Sequence, residues 1–408
     1  MSSIATDKGF YHGKSFLHHY PGRGSGFMWK LFGEKPHALD GLDLLPSTTA
    51  LALFSDGNAP LLWSVIREEV GRAGIPQAES ALNQIPQAFE MSTGLNWNKV
   101  LGSLGGEFGL VVTLDDTRMI PIPLPGTGLE IPEPGIALVI KVNDDTIFER
   151  IDLAMNQMMG QGPGVVSVNE GDLKMRTVPL PPRMPMVVRP SLGTSGGYLF
   201  ISTSDAMIRD MLAVKGGKKP GLKSTDEFKR LSQDVPLEGN QFLFLSQRLG
   251  KTIMAVQRKA MDMQSRENPA ALWMKSMIDP EKAGYCFNTT ANTEEGWLTV
   301  GNGNQHPTRV LLVAAAIPAA LAAIAVPNFV RARSVSQQNV CINNLRQLDG
   351  AKQQWALENN KNGTATPTRA ELAPYLPGNP LICPQGGHYT LGAVGEHPTC
   401  SVPGHRLW

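Results

Sequence analysis

The sequence predicts an α+β protein in two parts: a large, mostly antiparallel sheet domain with helices, then one transmembrane helix leading into a small α+β head. Three observations predict it. A short apolar strand followed by Ser, Asp or Asn and an amphipathic helix recurs through residues 46–300. Hairpin-like alternation falls between these units, which favours an antiparallel sheet with helices on one face. A run without charge, Val310–Val330, separates them from a short polar tail. The chain of 408 residues is 42% apolar, with 37 basic against 36 acidic side chains. A net charge of +1 gives no reason to expect a polyanion as partner, so no nucleic-acid partner is expected.

Residues 1–45 show no clean period and read as irregular, with one short helix near Phe27–Phe32. The strand–polar–helix unit appears as TALALFSDGNAPLLWSVIREEV, GIALVIKVNDDTIFERIDLAM and GYLFISTSDAMIRDMLAV, and more loosely as NQFLFLSQRLGKTIMAVQ. The polar residue after each strand is a predicted N-cap, because its oxygen can accept an orphan backbone N–H. The irregular spacing of the copies excludes a solenoid and suggests a duplicated α+β domain over 46–300. VVSVNEGDLKMRTVPL reads as a hairpin turning at Glu170–Gly171, and AGYCFNTTANTEEGWLTVGN as another turning at Thr293–Glu295. PIPLPGTGLEIPEPG and PLPPRMPMVVRP read as loops or extended edges. The lysines of VKGGKKPG (Lys215, Lys218, Lys219) sit among glycines and read as a solvated loop. Polar residues 301–309 form a linker.

Val310–Val326 carries no polar side chain, and the apolar stretch reaches Val330 with breaks only at Pro327 and Asn328. About 20 such residues span the hydrocarbon of a bilayer. The reading is a single-pass helix with membrane lipid as its partner and Arg309, Arg331 and Arg333 at the interfaces, where their stems can snorkel. No apolar leader is visible at the N-terminus, so residues 1–300 are expected in the cytoplasm and the segment after the helix on the far side of the membrane. The arginines after the helix oppose that orientation.

AALAAIAVPNFVRARSVSQQNVCINNLRQLDGAKQQWALEN resembles the N-terminal helix of type IV pilins and type II secretion pseudopilins. The tail LICPQGGHYTLGAVGEHPTCSVPGH is similar to the C-terminal hairpin of small pseudopilin-like proteins. The resemblance covers about residues 306–408 and implies a long helix packed on a small sheet, with pilin-like subunits or secretion-system components as partners. Periodicity agrees: Val335, Ile342, Leu345, Leu348 and Trp355 make one apolar stripe. Gly363 follows as a stop signal, and a second helix, capped by Thr366, is expected over Thr366–Leu372. The family's Gly–Phe processing site and its glutamate are replaced by Gln305–His306 and Val310. No aspartate follows Asp349, so no calcium site is expected. Residues 46–300 resemble only uncharacterised bacterial α+β domains found near envelope proteins.

No catalytic or cofactor-binding residue is expected, and the protein reads as a non-enzyme. Ser55–Asp56 and Ser204–Asp205 sit at strand–helix junctions, where capping explains them. GSLGGEFG lacks the lysine of a phosphate loop. The Met-rich stretch 252–278 reads as core packing, with a partner surface as the alternative. In the tail, Cys383 and Cys400 are expected to form a disulfide closing the hairpin, worth about 3 kcal/mol, and Cys341 to pack as a small apolar residue. The rival reading is a metal site built from Cys383, His388, His397 and Cys400. The functional expectation is a non-enzymatic bacterial envelope protein with a structural or assembly role linked to type II secretion or pilus-like systems. The alternative is a ligand- or protein-binding α+β domain with a vestigial, unprocessed pilin-like tail.

Overall fold

Sixteen strands and ten α-helices form among the described residues of the computed structural model, which are 2–7, 10–20, 26–121, 128–159, 164–179, 189–264, 283–304, 338, 340–376 and 381–407. In chain order the strands are β1 (Ser2–Asp7), β2 (Phe10–His18), β3 (His37–Ala38), β4 (Thr49–Asp56), β5 (Leu104–Pro121), β6 (Glu130–Val142), β7 (Val166–Glu170) and β8 (Leu173–Thr177). They continue as β9 (Ser191–Ser195), β10 (Tyr198–Ser202), β11 (Glu238–Gly239), β12 (Gln241–Leu245), β13 (Cys286–Thr293), β14 (Gly296–Gly303), β15 (Tyr389–Thr390) and β16 (Thr399–Cys400). The chain divides into two compact units, Met1–Ala314 and Ala315–Trp408.

In the first unit, twelve strands make one antiparallel sheet in the order β1-β2-β14-β13-β12-β4-β5-β6-β10-β9-β8-β7. Both hairpins turn where the sequence places them: Glu170 pairs with Leu173 around Gly171, and Thr293 pairs with Gly296. β1 and β2 correct the reading of residues 1–45 as irregular. Their pairing comes from β14, more than 280 residues away, where Phe16 faces Leu298. No local period announces such a strand.

The helices of this unit are α1 (Met28–Leu31), α2 (Ala59–Ala73), α3 (Pro76–Thr93), α4 (Trp97–Ser103), α5 (Thr146–Met159), α6 (Asp205–Lys215), α7 (Asp226–Leu231) and α8 (Gln247–Gln264). Ser204 caps α6 as expected, accepting from Met207 N–H, but α2 is capped by Asn58, which accepts from Leu61 N–H, and not by Ser55 or Asp56. The main core joins Phe54, Val139, Phe200, Phe242 and Phe287 to Ile208 and Met211 of α6 and Phe228 of α7. Leu192 and Leu199, whose side chains alternate to the other face, pack with Phe148 of α5. Helices therefore cover both faces, not one. A cross-strand row in the main core runs Phe242–Phe54–Gly109–Val139–Phe200. A Cβ at Gly109 would lie within 2.5 Å of the Phe54 ring, so the glycine lets that ring lie flat and stack on Phe242 at 4.9 Å.

In the second unit, the helix 340–358, α9, presents Cys341, Leu345, Leu348, Ala351 and Trp355 to the core, with Ile342 half-buried. The second helix is a single turn, α10 (Arg369–Leu372), capped by Thr368 rather than Thr366 in a reciprocal box with Glu371. β15 and β16 make the expected hairpin. Lys352 is fully buried on α9 and donates to the carbonyls of Leu391 (2.7 Å) and Glu396 (2.6 Å), tying down the loop between the strands. Among the described residues no helix is long and apolar enough to cross a membrane. Val310–Val330, Arg309, Arg331, Arg333, Val335, Gln305 and His306 lie outside the described residues, as does 265–278 of the Met-rich stretch.

Candidate metal centre

Four soft donors converge in the second unit. Cys341 opens α9, Cys383 precedes a glycine turn, Cys400 ends β16, and His405 lies in the last turn of the tail. Their ligand atoms all lie within 4.8 Å of one another. Cys341, Cys383 and His405 are buried, and Cys400 is half-buried.

Each donor is placed by a local cause. Cys341 shares the buried face of α9 with Leu345 and Leu348, four and seven residues on. Cys383 begins the turn Cys383-Pro384-Gln385-Gly386, closed by Gly386 N–H on Cys383 O at 2.9 Å. Gly386 takes φ +76°, which suits glycine. Gly387 then passes so close that a Cβ there would meet Cys400 Sγ at 2.7 Å and Cys383 Sγ at 3.3 Å. Cys400 sits opposite Tyr389 in the hairpin, and the Tyr389 hydroxyl donates to Cys341 Sγ at 3.4 Å. Asn344, one turn after Cys341, donates to that hydroxyl at 3.1 Å and to Ile382 O at 3.0 Å, bracing both sides of the cluster.

Burial pushes the Cys341 thiol up to about 12. Burial also raises Cys383, but backbone N–H groups of Gln385 and Gly387 outweigh it and hold this thiol below the usual value. His405 Nδ1 lies 3.6 Å from Cys383 Sγ. Tetrahedral zinc, with bonds of about 2.3 Å to sulfur and 2.0 Å to nitrogen, sets its donors roughly 3.5–3.8 Å apart. That pair already stands at the required spacing, and the widest pair needs to close by about 1 Å. Three thiolates and one imidazole are the donor chemistry of a structural zinc site, with no coordination position left open for substrate. Gly387, Tyr389 and Asn344 are the surrounding shell that sets the donors.

The sequence expectations divide here. Cys383 and Cys400 come together, but as free thiols, in company with Cys341 and His405. Cys341 is a donor candidate and not merely a small apolar residue. The rival set with His388 and His397 is not assembled. His388 is exposed, and His397 pairs with Asp349 at 3.3 Å with 65% of its side chain exposed. The signal that would have found the converging set is Cys341 in register with the buried stripe, read together with the Cys-Pro-Gln-Gly-Gly turn.

A second polar cluster lies in the first unit at one end of the sheet. Asp56, paired across strands with Glu107, accepts from Asn240 at 2.9 Å and from His37 Nε2 at 3.0 Å, so it is no helix cap. Burial raises the buried Glu107 carboxyl, against the opposing pull of Lys141, 3.9 Å away, and of Tyr198 O–H, which donates to it at 3.1 Å. Burial lowers His37, but its bonds to Ala38 O and Asp56 and the nearby charges outweigh this, and the imidazole is held above its ordinary value. Ser204 serves only as a cap, as expected.

The first unit is thus a large antiparallel α+β structure, and the second gathers four side chains of metal-ligand type. No family model matches the chain, and no curated protein or solved structure matches it either.

Proposed function

We propose that this chain is a non-enzymatic bacterial envelope protein whose pilin-like head is clamped by one structural zinc ion. The observation that carries the reading is the convergence of Cys341, Cys383, Cys400 and His405 within 4.8 Å. A long helix whose buried stripe packs on a short hairpin supports the pilin-like part of the reading. In this reading the metal does what a Cys383–Cys400 disulfide was expected to do: it joins the helix start, the hairpin and the tail. A site with four protein ligands suits structure and not turnover.

The head takes a structural or assembly role with pilin-like subunits or secretion-system components. Val310–Val330 attaches it to the inner membrane, with the first unit cytoplasmic and the head outside. The metal part is tested by measuring zinc in the full chain purified without added metal, then replacing it with cobalt. One equivalent per chain and the intense visible bands of thiolate-bound tetrahedral cobalt are expected. A chain that neither retains nor takes up one equivalent overturns it. Alkaline carbonate extraction tests attachment: release of the full-length protein refutes the membrane helix. Alkaline phosphatase fused after Trp408 is expected to be active and at Asn302 inactive; the opposite result reverses the orientation.

A further inference from the structure

The basic stretch is exposed, as expected of a solvated segment, yet two of its lysines also line a depression in the surface. Lys215 and Lys219 wall a cavity of about 590 Å³. Lys215, Lys219 and Lys223 come from the end of α6 and the segment after it, and Lys141 from β6. Asp40, Asp43 and Tyr198 also line it, the two carboxylates interspersed with the lysines. Volumes of about 300–1,000 Å³ are those of small-molecule sites.

The ammonium groups are not equivalent. Lys219 is engaged by Asp210 at 2.5 Å and Lys223 by Asp43 at 2.6 Å. Lys141 stands about equally far from Asp40 (4.0 Å) and Glu107 (3.9 Å), too far for a strong pair with either. Lys215 has no carboxylate within ion-pair distance among the described residues. Its Nζ lies 4.6 Å from the Tyr198 ring centre and makes one long bond, 3.4 Å, to Gly196 O. Two of its three N–H groups are left for a ligand.

The fold makes room for this ammonium. Gly196 is in the left-handed region at φ +58°, and a Cβ there would press on Lys215 Nζ at 3.1 Å. Lys141 Nζ lies 6.0 Å from the same ring. Tyr198 donates its hydroxyl to Glu107, and its ring, buried to 4% exposure, lies under the two ammonium groups. Two incompletely paired ammonium groups are thus held over one aromatic platform.

We propose that this cavity is a binding site for a small oxyanion-bearing ligand, a phosphate or a carboxylate group seated between Lys215 and Lys141 over Tyr198. The remaining volume takes the body of the molecule, with Lys219 and Lys223 at the rim. This site is independent of the metal centre, and each stands or falls alone.

The test is equilibrium binding of inorganic phosphate, and separately of citrate, to the full chain at low ionic strength. Saturable binding at one site per chain is expected for at least one of the two, and which one binds distinguishes the phosphate from the carboxylate source. Lys215→Gln and Lys141→Gln are each expected to weaken it at least tenfold. Lys215→Arg should retain most of it. Lys218→Gln is the internal control, because Lys218 belongs to the same basic stretch but does not line the cavity. No saturable binding of either probe up to about 10 mM overturns the proposal. So does an equal loss in Lys218→Gln, which would make the effect one of general charge.

Discussion

Replacing Gly387 by alanine adds one methyl group and removes no donor, so it isolates the geometry of the metal centre. The new Cβ would stand 2.7 Å from Cys400 Sγ and from Val402 Cγ2, and 3.3 Å from Cys383 Sγ. Ordinary non-bonded contact needs about 3.5–4.0 Å. Cys400 Sγ or the Gly387 turn must therefore shift by about 1 Å, which changes the spacing of the donors. Metal sites tolerate donor errors of about 0.2 Å, so the substitution exceeds the tolerance several-fold. Changes that disturb ligand orientation without removing a ligand cost 10–100-fold in affinity. The expected loss for Gly387→Ala is at the upper end of that range, roughly 100-fold, or about 2.7 kcal/mol. Competition with a chromogenic chelator measures it, and the cobalt-substituted spectrum should weaken in parallel. Wild-type zinc affinity in a folded Gly387→Ala protein would refute the reasoning, because the donors would then not be converging on a common ion.

Lys352→Met orphans the Leu391 and Glu396 carbonyls, at about 1–3 kcal/mol each, while relieving the cost of a buried ammonium. A net loss of about 2 kcal/mol in the second unit is expected, read as faster amide exchange over 389–396 with the first unit unchanged. Phe54→Ala removes a buried ring stacked on Phe242 and should cost the first unit about 3–5 kcal/mol in chemical denaturation; a loss below about 1 kcal/mol would show that the row does not organise the core. Glu107 faces Lys141, Tyr198, His37 and Asp56, and its pKa is raised in the fold. Its contribution to stability is therefore fully present below its unfolded value of 4.5 and is lost as pH rises through the raised folded value. Glu107→Gln should remove that decline, so its stability relative to wild type increases with pH; a difference constant from about pH 4 to 8 contradicts the sign.

What the sequence disclosed was local. The turns at Gly171 and Thr293–Glu295, and the cap Ser204, depend on neighbours within four residues, and each forms where composition points. The buried stripe Leu345–Leu348–Trp355 belongs with them. What it withheld was assembly over distance. β1 and β2 have no period of their own and exist because β14 offers an edge. The metal centre joins donors from residue 341 to 405, and nothing in the spacing ranks His405 above His388 or His397. Only the hairpin's pairing of Tyr389 with Cys400, and the tail's return toward Cys383, make that choice. The lysine-walled cavity was hidden in the same way, because Lys141 lies on another strand and Gly196 in another turn.

The adjacency of β4 and β12 has a bearing on biosynthesis. Residues 49–56 leave the ribosome long before 241–245, their neighbours in the sheet. Until then β4 keeps one flank of unpaired N–H and C=O groups beneath Leu51, Leu53 and Phe54, a template for pairing with other chains. The final outer strands are polar by contrast, Ser2–Asp7 and Val166–Glu170. A nascent or truncated chain ending before Gln241 would therefore expose an adhesive margin that the finished protein buries. Chaperone dependence should be greatest over that interval of synthesis and fall once β12 docks.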